Sequence, residues 1–381
     1  MEQKNTNQNV YFANLDVLRF IAAFMVVIAH AYEGWCGWWG YPGFMSQDGE
    51  HKALTTFGGY LNNTIKNGGF GVDVFFLISG FLITYILLVE KDSTGKIDIA
   101  KFFIRRGFRI WPLYFLLVAV APLIVNWLQK PSPDYLSTAL FYNNFHSMWT
   151  QAWEYPFAHF WSICVEEHFY LVWPFLVAFT PNKHLLKVFW TVLFLSIFAR
   201  FGFNLTGKGF YYLYLHTLSR MDILAVGAIG AYMYFNKTLR FTMPKYARVL
   251  LYGLFIVMYA FEPYNIYDGA FLACFRKYFY VGVVAIGMSN FLFNPDSLFT
   301  FSKKNVLHYL GKISFGVYMY SNILIPIIIE KIIVPFNAVN MYFYFFLNIA
   351  LTIIISIISY ELFEKQFLKL KTKFEVVKTS R

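Results

Sequence analysis

Charge is scarce in this chain: Asp, Glu, Lys and Arg together make up 14% of its 381 residues, while 58% are hydrophobic. That balance excludes an ordinary soluble globular domain and is typical of a polytopic membrane protein. No long polar stretch is present, so no separate water-facing domain is expected. Cysteine is as scarce as charge. Cys36, Cys164 and Cys274 are odd in number and far apart in apolar or aromatic settings, which argues against a disulfide framework, and they are given no metal role. The opening residues, MEQKNTNQNVYFAN, lack the pattern of a cleaved signal peptide, so the first helix is expected to stay as a signal-anchor. No repeat of the kind that builds solenoids is evident.

What is abundant is aromatic: 22% of residues, with 45 Phe and 28 Tyr, more than interfacial belts need, so many must pack between helices or face lipid. The formal charge of +11 would suit nucleic acid, but Lys and Arg sit in alternate loops between apolar runs and therefore orient a membrane protein. The expected partner is the lipid bilayer, not nucleic acid.

Apolar runs occur near 15–32, 71–89, 110–128, 160–179, 185–203, 215–235, 247–261, 278–293, 311–333 and 341–363. They predict an all-α bundle of about ten transmembrane helices. An even count puts both termini on one side. Alternate loops collect Lys91 to Arg109, Lys183, Lys187, Lys237, Arg240, Lys245, Arg248, Lys303, Lys304, Lys312 and the basic tail on that side, while Lys52, Lys66, Lys130 and Lys208 fall on the other. The positive-inside rule then makes both termini cytoplasmic. The expected division is a cytoplasmic segment 1–14, a transmembrane domain 15–363 and a basic cytoplasmic tail 364–381. The long connections 33–70 and 129–159 fall on the outer face, where loops rich in Trp, Gly, Tyr and Asn are placed to cover an acceptor site.

The first run, NLDVLRFIAAFMVVIAHAY, spans a bilayer yet keeps Asp16, Arg19 and His30. Arg19 and His30 are eleven residues apart, about three turns, so they share a helix face and are separated by a rise of about 16 Å. Such a helix offers a fixed cation near one surface and a titratable imidazole towards the other. The plainer account makes Arg19 an interfacial anchor and His30 a polar helix-end residue. The cluster KFFIRRGFRIWP carries the same two readings: a stop-transfer signal, or an arginine clamp for a cofactor's phosphates.

Three further stretches place charge within apolar runs. In FGVDVFFLISGFLITY, Asp73 either caps its helix or pairs with His30 or an arginine. HFWSICVEEHFYLVWP sets Glu166, Glu167 and His168 in aromatic surroundings, where an ionised group needs a partner or a wet cavity. Ser162 and Glu166 share a face, and Glu167 turns about 100° away, so the two acids are expected to do different jobs. In SRMDILAVGAIGAY, Arg220 and Asp222 read as an ion pair internal to the helix, with glycines for packing. The late run 310–326 offers Ser314, Gly316, Ser321 and Asn322 for helix contacts.

Five strings in order, LDVLRFIAAFMVVIAH, GVDVFFLISGFLIT, FFIRRGFRIWPLY, FWSICVEEHFYLVWP and RMDILAVGA, resemble the membrane acyltransferase-3 family of bacterial envelope O-acyltransferases. The resemblance implies an enzyme of the inner, cytoplasmic membrane that transfers an acyl group, often acetyl, from cytoplasmic acyl-CoA to a hydroxyl of a glycan or other acceptor at the outer face. It implies that His30 is the essential histidine, Arg19 its paired cation, and Arg106 and Arg109, with Arg105 adjacent, the arginines at the inner entrance. Glu166 matches the first acid of the family's WSxxxE string, and Asp73 the acid that opens the second motif. Acyl-CoA, with acetyl-CoA foremost, is then the donor substrate, and no permanently bound cofactor or metal is implied. A departure occurs at Ser321, where many relatives end ISYxLYLxH with a histidine. With no esterase-like segment after the last helix, a stand-alone transferase is expected.

On this reading CoA's anionic end rests at Arg105, Arg106 and Arg109, Arg19 steadies its arm or phosphates, and the thioester reaches towards His30. His30 acts as general base or transient acyl carrier, and Glu166 or Asp73 orients its ring, unless Glu166 instead pairs with Arg220. A transporter or flippase for a polysaccharide or lipid-linked sugar is the alternative. The crowding of polar residues into the first six helices favours the enzyme.

Overall fold

The computed structural model describes residues 11–41, 57–238, 243–261, 278–288 and 306–377. Cys274, Lys52, Arg240, Lys303, Lys304 and most of the segment 1–14 lie outside the described residues. Within the described residues the chain is helical and has no strand.

Seven described stretches are long and apolar enough to cross a membrane: 14–38, 58–94, 99–127, 161–179, 182–205, 306–333 and 341–374. They contain helices α1 (Ala13–Glu33), α2 (Phe57–Lys66), α3 (Gly71–Thr94) and α4 (Ile99–Trp127). After the short α5 (Tyr135–Ala139) and α6 (Asn143–Thr150) come α7 (Trp161–Phe179), α8 (Asn182–Leu205) and the short α9 (Phe210–Leu215). The chain continues with α10 (Thr217–Phe235), α11 (Lys245–Phe261) and α12 (Tyr278–Met288), and then α13 (Val306–Ile328), α14 (Met341–Ser359) and α15 (Lys365–Lys371). Against the expected ten, seven spans are found among the described residues. The runs near 215–235, 247–261 and 278–293 do contain helices, α10, α11 and α12, but none is among those long and apolar enough to count. The run near 278–293 is described only to Met288.

One boundary differs in a way that bears on function. The basic stretch 99–109, expected in a loop, forms the first turns of α4. Asp98 explains this: its side chain accepts from the Lys101 main-chain N–H at 2.9 Å, which satisfies an orphan donor at the helix start and lets α4 begin eleven residues early. The arginines are thereby placed at fixed helical angles.

α1 packs on α3 and α13, α3 on α7 and α10, and α10 on α8. The α3–α10 crossing is close because glycines face each other. A Cβ on Gly80 would overlap the carbonyl of Leu224, and one on Gly227 would overlap that of Leu77. Small residues let helix backbones approach where apolar burial gives no drive against lipid. At one end of the bundle the start of α1 meets the start of α13, where Tyr11 OH lies 2.9 Å from His308 Nδ1. At that same end Lys91 of α3 donates to the carbonyls of Val177 and Thr180 at the end of α7, 2.7 Å each, and Arg105 of α4 donates to Phe374 O at 3.1 Å. This is the basic end. His30 lies towards the opposite end, as the length of α1 requires.

Candidate functional site

A partly open cavity lies between α1, α3, α4, α7 and α13. Its polar wall near the basic end is made of Asp16, Arg19, Arg106, Arg109 and Lys371, and Ser79, Glu166, Tyr170, Ser162 and Tyr318 continue it towards the other end. Helical phase places these groups. On α7, Ser162, Glu166 and Tyr170 are spaced by four and form one stripe, and on α3 Phe75, Ser79, Leu82 and Ile86 form the facing one.

Glu166 is held from two sides. Ser79 Oγ donates to Oε1 at 2.7 Å and Tyr170 OH donates to Oε2 at 3.1 Å. Arg109 and Arg106 both act electrostatically on this carboxylate. Arg106 makes no hydrogen bond or ion pair with the described residues; its guanidinium lies over the Tyr170 ring at 5.7 Å and over Phe102 at 6.0 Å, with a buried Nε left unpartnered. A cation stacked on rings and facing a cavity keeps its fork of donors available for an anionic ligand. Arg19 Nη1 bonds Asp16 Oδ1 at 2.8 Å, and Tyr11 OH donates to the other oxygen of Asp16 at 3.1 Å. The carboxylate thus fixes the cation in the cavity wall.

Arg105 is not part of the cavity wall. It turns about 100° from Arg106 and pairs with Glu90 at 2.9 Å, the latter fully buried. Glu90 also accepts from the main-chain N–H of Asp98 at 2.8 Å, so this pair ties the start of α4 to the end of α3. Asp73 is not in the cavity either. It forms a buried ion pair with Arg220 across the α3–α10 crossing. Asp222 pairs with Arg200 of α8 at 2.7 Å. The ion pair expected within α10 is therefore replaced by two pairs between helices. A buried charge is best compensated by a partner with fixed geometry on a packed neighbour.

His30 has neither Glu166 nor Asp73 as its orienting carboxylate, because both acids are engaged elsewhere. Its Nδ1 is buried without a hydrogen-bond partner among the described residues. The ring that meets it is His159, with centroids 6.3 Å apart and planes at 67°. The main-chain oxygen of His159 accepts from Tyr318 OH at 2.7 Å and from Ser162 Oγ at 3.3 Å, and both hydroxyls line the cavity. His30 is thus one ring removed from groups of the cavity wall. Glu167 points elsewhere, accepting from Trp111 Nε1 at 3.1 Å.

Tyr170, Ser79, Asp16, Tyr318 and His159 were not singled out from sequence as site residues. Two of them carried a usable spacing signal, Tyr170 four residues after Glu166 and Asp16 three residues before Arg19; Ser79, Tyr318 and His159 come together with the rest only through packing between helices.

The model of the family described as "Acyltransferase domain" matches residues 12–361. This chain belongs to the acyltransferase-3 family. Among acyltransferase-3 relatives, a protein of Staphylococcus aureus (strain COL) whose name carries an inferred O-acetyltransferase activity is 27% identical over 339 residues, 81% of this chain and 54% of that protein. The O-acetyltransferase OatA of S. aureus (strain NCTC 8325 / PS 47) is 28% identical over 291 residues, 68% of this chain and 47% of OatA. The chain thus spans about half the length of the curated relatives it matches. No solved structure matches it.

Proposed function

We propose that this acyltransferase-3 chain is a membrane O-acyltransferase that moves an acyl group, acetyl by analogy with its relatives' names, from acyl-CoA to a hydroxyl of an envelope or exported glycan. The observation that carries the reading is the cavity itself, with arginines in its wall near the basic end, a held carboxylate beyond them, and hydroxyls that touch the His159 main chain. On this proposal the basic end faces the cytoplasm, as the positive-inside rule directs, and the membrane is the inner one. CoA's phosphates meet Arg106, Arg109 and Arg19, while Arg105 positions α4 through Glu90. The thioester arm extends along the cavity, and the acceptor approaches from the opposite face.

His30 then acts as general base. The acceptor oxygen bonds the thioester carbonyl carbon as its proton passes to the imidazole; the C–S bond breaks, and the departing thiolate takes up that proton as CoA thiol. Glu166 keeps the arginine end of the cavity from carrying uncompensated positive charge when CoA is absent.

The test is transfer of labelled acetyl from acetyl-CoA in membranes holding wild type or His30→Ala at matched abundance, with endogenous glycans as acceptors. Label on glycan with the wild type and none with the variant is expected. Equal labelling overturns His30 as the base. Glycan export without label in either membrane overturns the transferase in favour of a flippase.

A further inference from the structure

His159 stands two residues before α7, 2% exposed, and α13 occupies both nitrogens of its ring. Nε2 lies 3.0 Å from the carbonyl oxygen of Met319, which can only accept, so Nε2 carries the hydrogen. Nδ1 is left as acceptor for the Asn322 amide nitrogen at 3.3 Å. The ring is also walled by Phe160 at 4.9 Å and by Tyr318 at 5.4 Å, both edge-to-face. With both nitrogens engaged, His159 has no free lone pair to take a proton or an acyl group. What it does present is a fixed ring against His30, a partly exposed ring whose Nδ1 has no partner of its own.

We propose that His159 is the positioning residue for His30: held by Met319 and Asn322, it sets the plane of the His30 ring through their edge-to-face contact, supplying the aim, though not the hydrogen bond or the charge, that a carboxylate gives in other base-orienter pairs. This rests on the transferase reading above. A neutral orienter is compatible with a buried site, because it aims the base without adding a charge that would need its own partner. The same residue joins the base to the cavity. Ser162 and Tyr318 bond its main-chain oxygen, so the wall that meets the donor arm and the ring that aims His30 belong to one hydrogen-bonded unit.

The experiment compares the full chain in membranes with His159→Phe, which keeps a ring but cannot bond Met319 or Asn322, and Asn322→Ala, which frees one nitrogen only. Two readouts are taken: acetyl transfer from acetyl-CoA, and carbethoxylation of His30 by diethyl pyrocarbonate followed by mass spectrometry. Loss of aim is expected to lower kcat about 10- to 100-fold in His159→Phe. KM for acetyl-CoA should stay within about twofold, since the arginines are untouched. Asn322→Ala should fall in between, and His30 should be labelled faster in both variants than in wild type. Wild-type kcat and unchanged His30 labelling in His159→Phe would overturn the proposal, as would a rise in KM at constant kcat. If His159→Phe does not accumulate, unchanged His30 labelling in Asn322→Ala overturns it. A wild type that transfers no acetyl refutes the transferase reading instead, and the labelling comparison still decides whether His159 aims His30.

Discussion

Asp73 and Arg220, 147 positions apart in the chain, form an ion pair in which each side chain is about 1% exposed. The guanidinium also lies over the rings of Tyr214, Trp161 and Phe76 at 5.2, 5.3 and 5.4 Å. An acid that opens a motif in sequence is thus fully engaged in joining α3 to α10. Asp73→Asn leaves an uncompensated buried cation and is expected to cost about 3–5 kcal/mol, read as a lower thermal unfolding midpoint in detergent. The double variant Asp73→Asn with Arg220→Met should recover most of that loss. A single variant that unfolds like wild type while losing acetyl transfer would instead place Asp73 in the chemistry.

The same crossing depends on Gly80. Gly80→Ala places a methyl group against the Leu224 carbonyl, a backbone atom that cannot rotate away. Overpacking of this kind is expected to destabilise by about 1–3 kcal/mol. Gly202→Ala on α8 meets nothing within 4 Å and serves as the control, with an expected change within about 0.5 kcal/mol. Equal unfolding midpoints for the two variants would show that the helices separate without cost.

Neighbouring arginines should fail in different ways. Arg106→Gln removes a cation that has no carboxylate bonded to it and should raise KM for acetyl-CoA about 10- to 100-fold at normal abundance, the loss expected for a charged hydrogen bond to an anion. Arg105→Gln strands the buried Glu90 and should reduce the amount of folded protein while leaving KM of the remainder near wild type. Abundance by immunoblot and KM from initial rates distinguish the two.

Adjacent acids should also separate. Glu166→Gln replaces one of the two oxygens that accept from Ser79 and Tyr170 by an NH2 donor beside Arg106 and Arg109, and the loosened cavity wall is expected to lower kcat/KM about 100-fold. Glu167→Gln keeps an amide oxygen for the Trp111 N–H and should leave kcat/KM within about threefold of wild type. The reverse ranking would move the functional acid to the α4-facing side of α7.

The membrane class, the order of the helices and the helical phase of the charged stripes were legible in the sequence. These follow from short-range physics: apolar run length against bilayer thickness, and about 100° of turn per residue. Arg19 on the face of α1 that looks into the bundle, and Ser162 with Glu166 on one face of α7, are products of that periodicity. So is the separation of Glu166 from Glu167. The count of spans was less legible: within the described residues α10 to α12 fold as helices but are not among those long and apolar enough to span.

What only the tertiary structure decided is which partner each buried charge found. Sequence gives Asp73, Arg105, Arg220 and Asp222 their heights along their own helices, but a pairing also needs the rotation and spacing of a neighbouring helix. Those are set by contacts such as Gly80 against Leu224, distributed over hundreds of residues. His159 illustrates the same limit: no spacing rule links it to His30, yet α13 fixes its ring and places it against that of His30. Local periodicity determined the faces, and close packing of those faces determined the partners, because in a low-dielectric interior a charge or a ring nitrogen is stable only where a complementary group is held within hydrogen-bond reach.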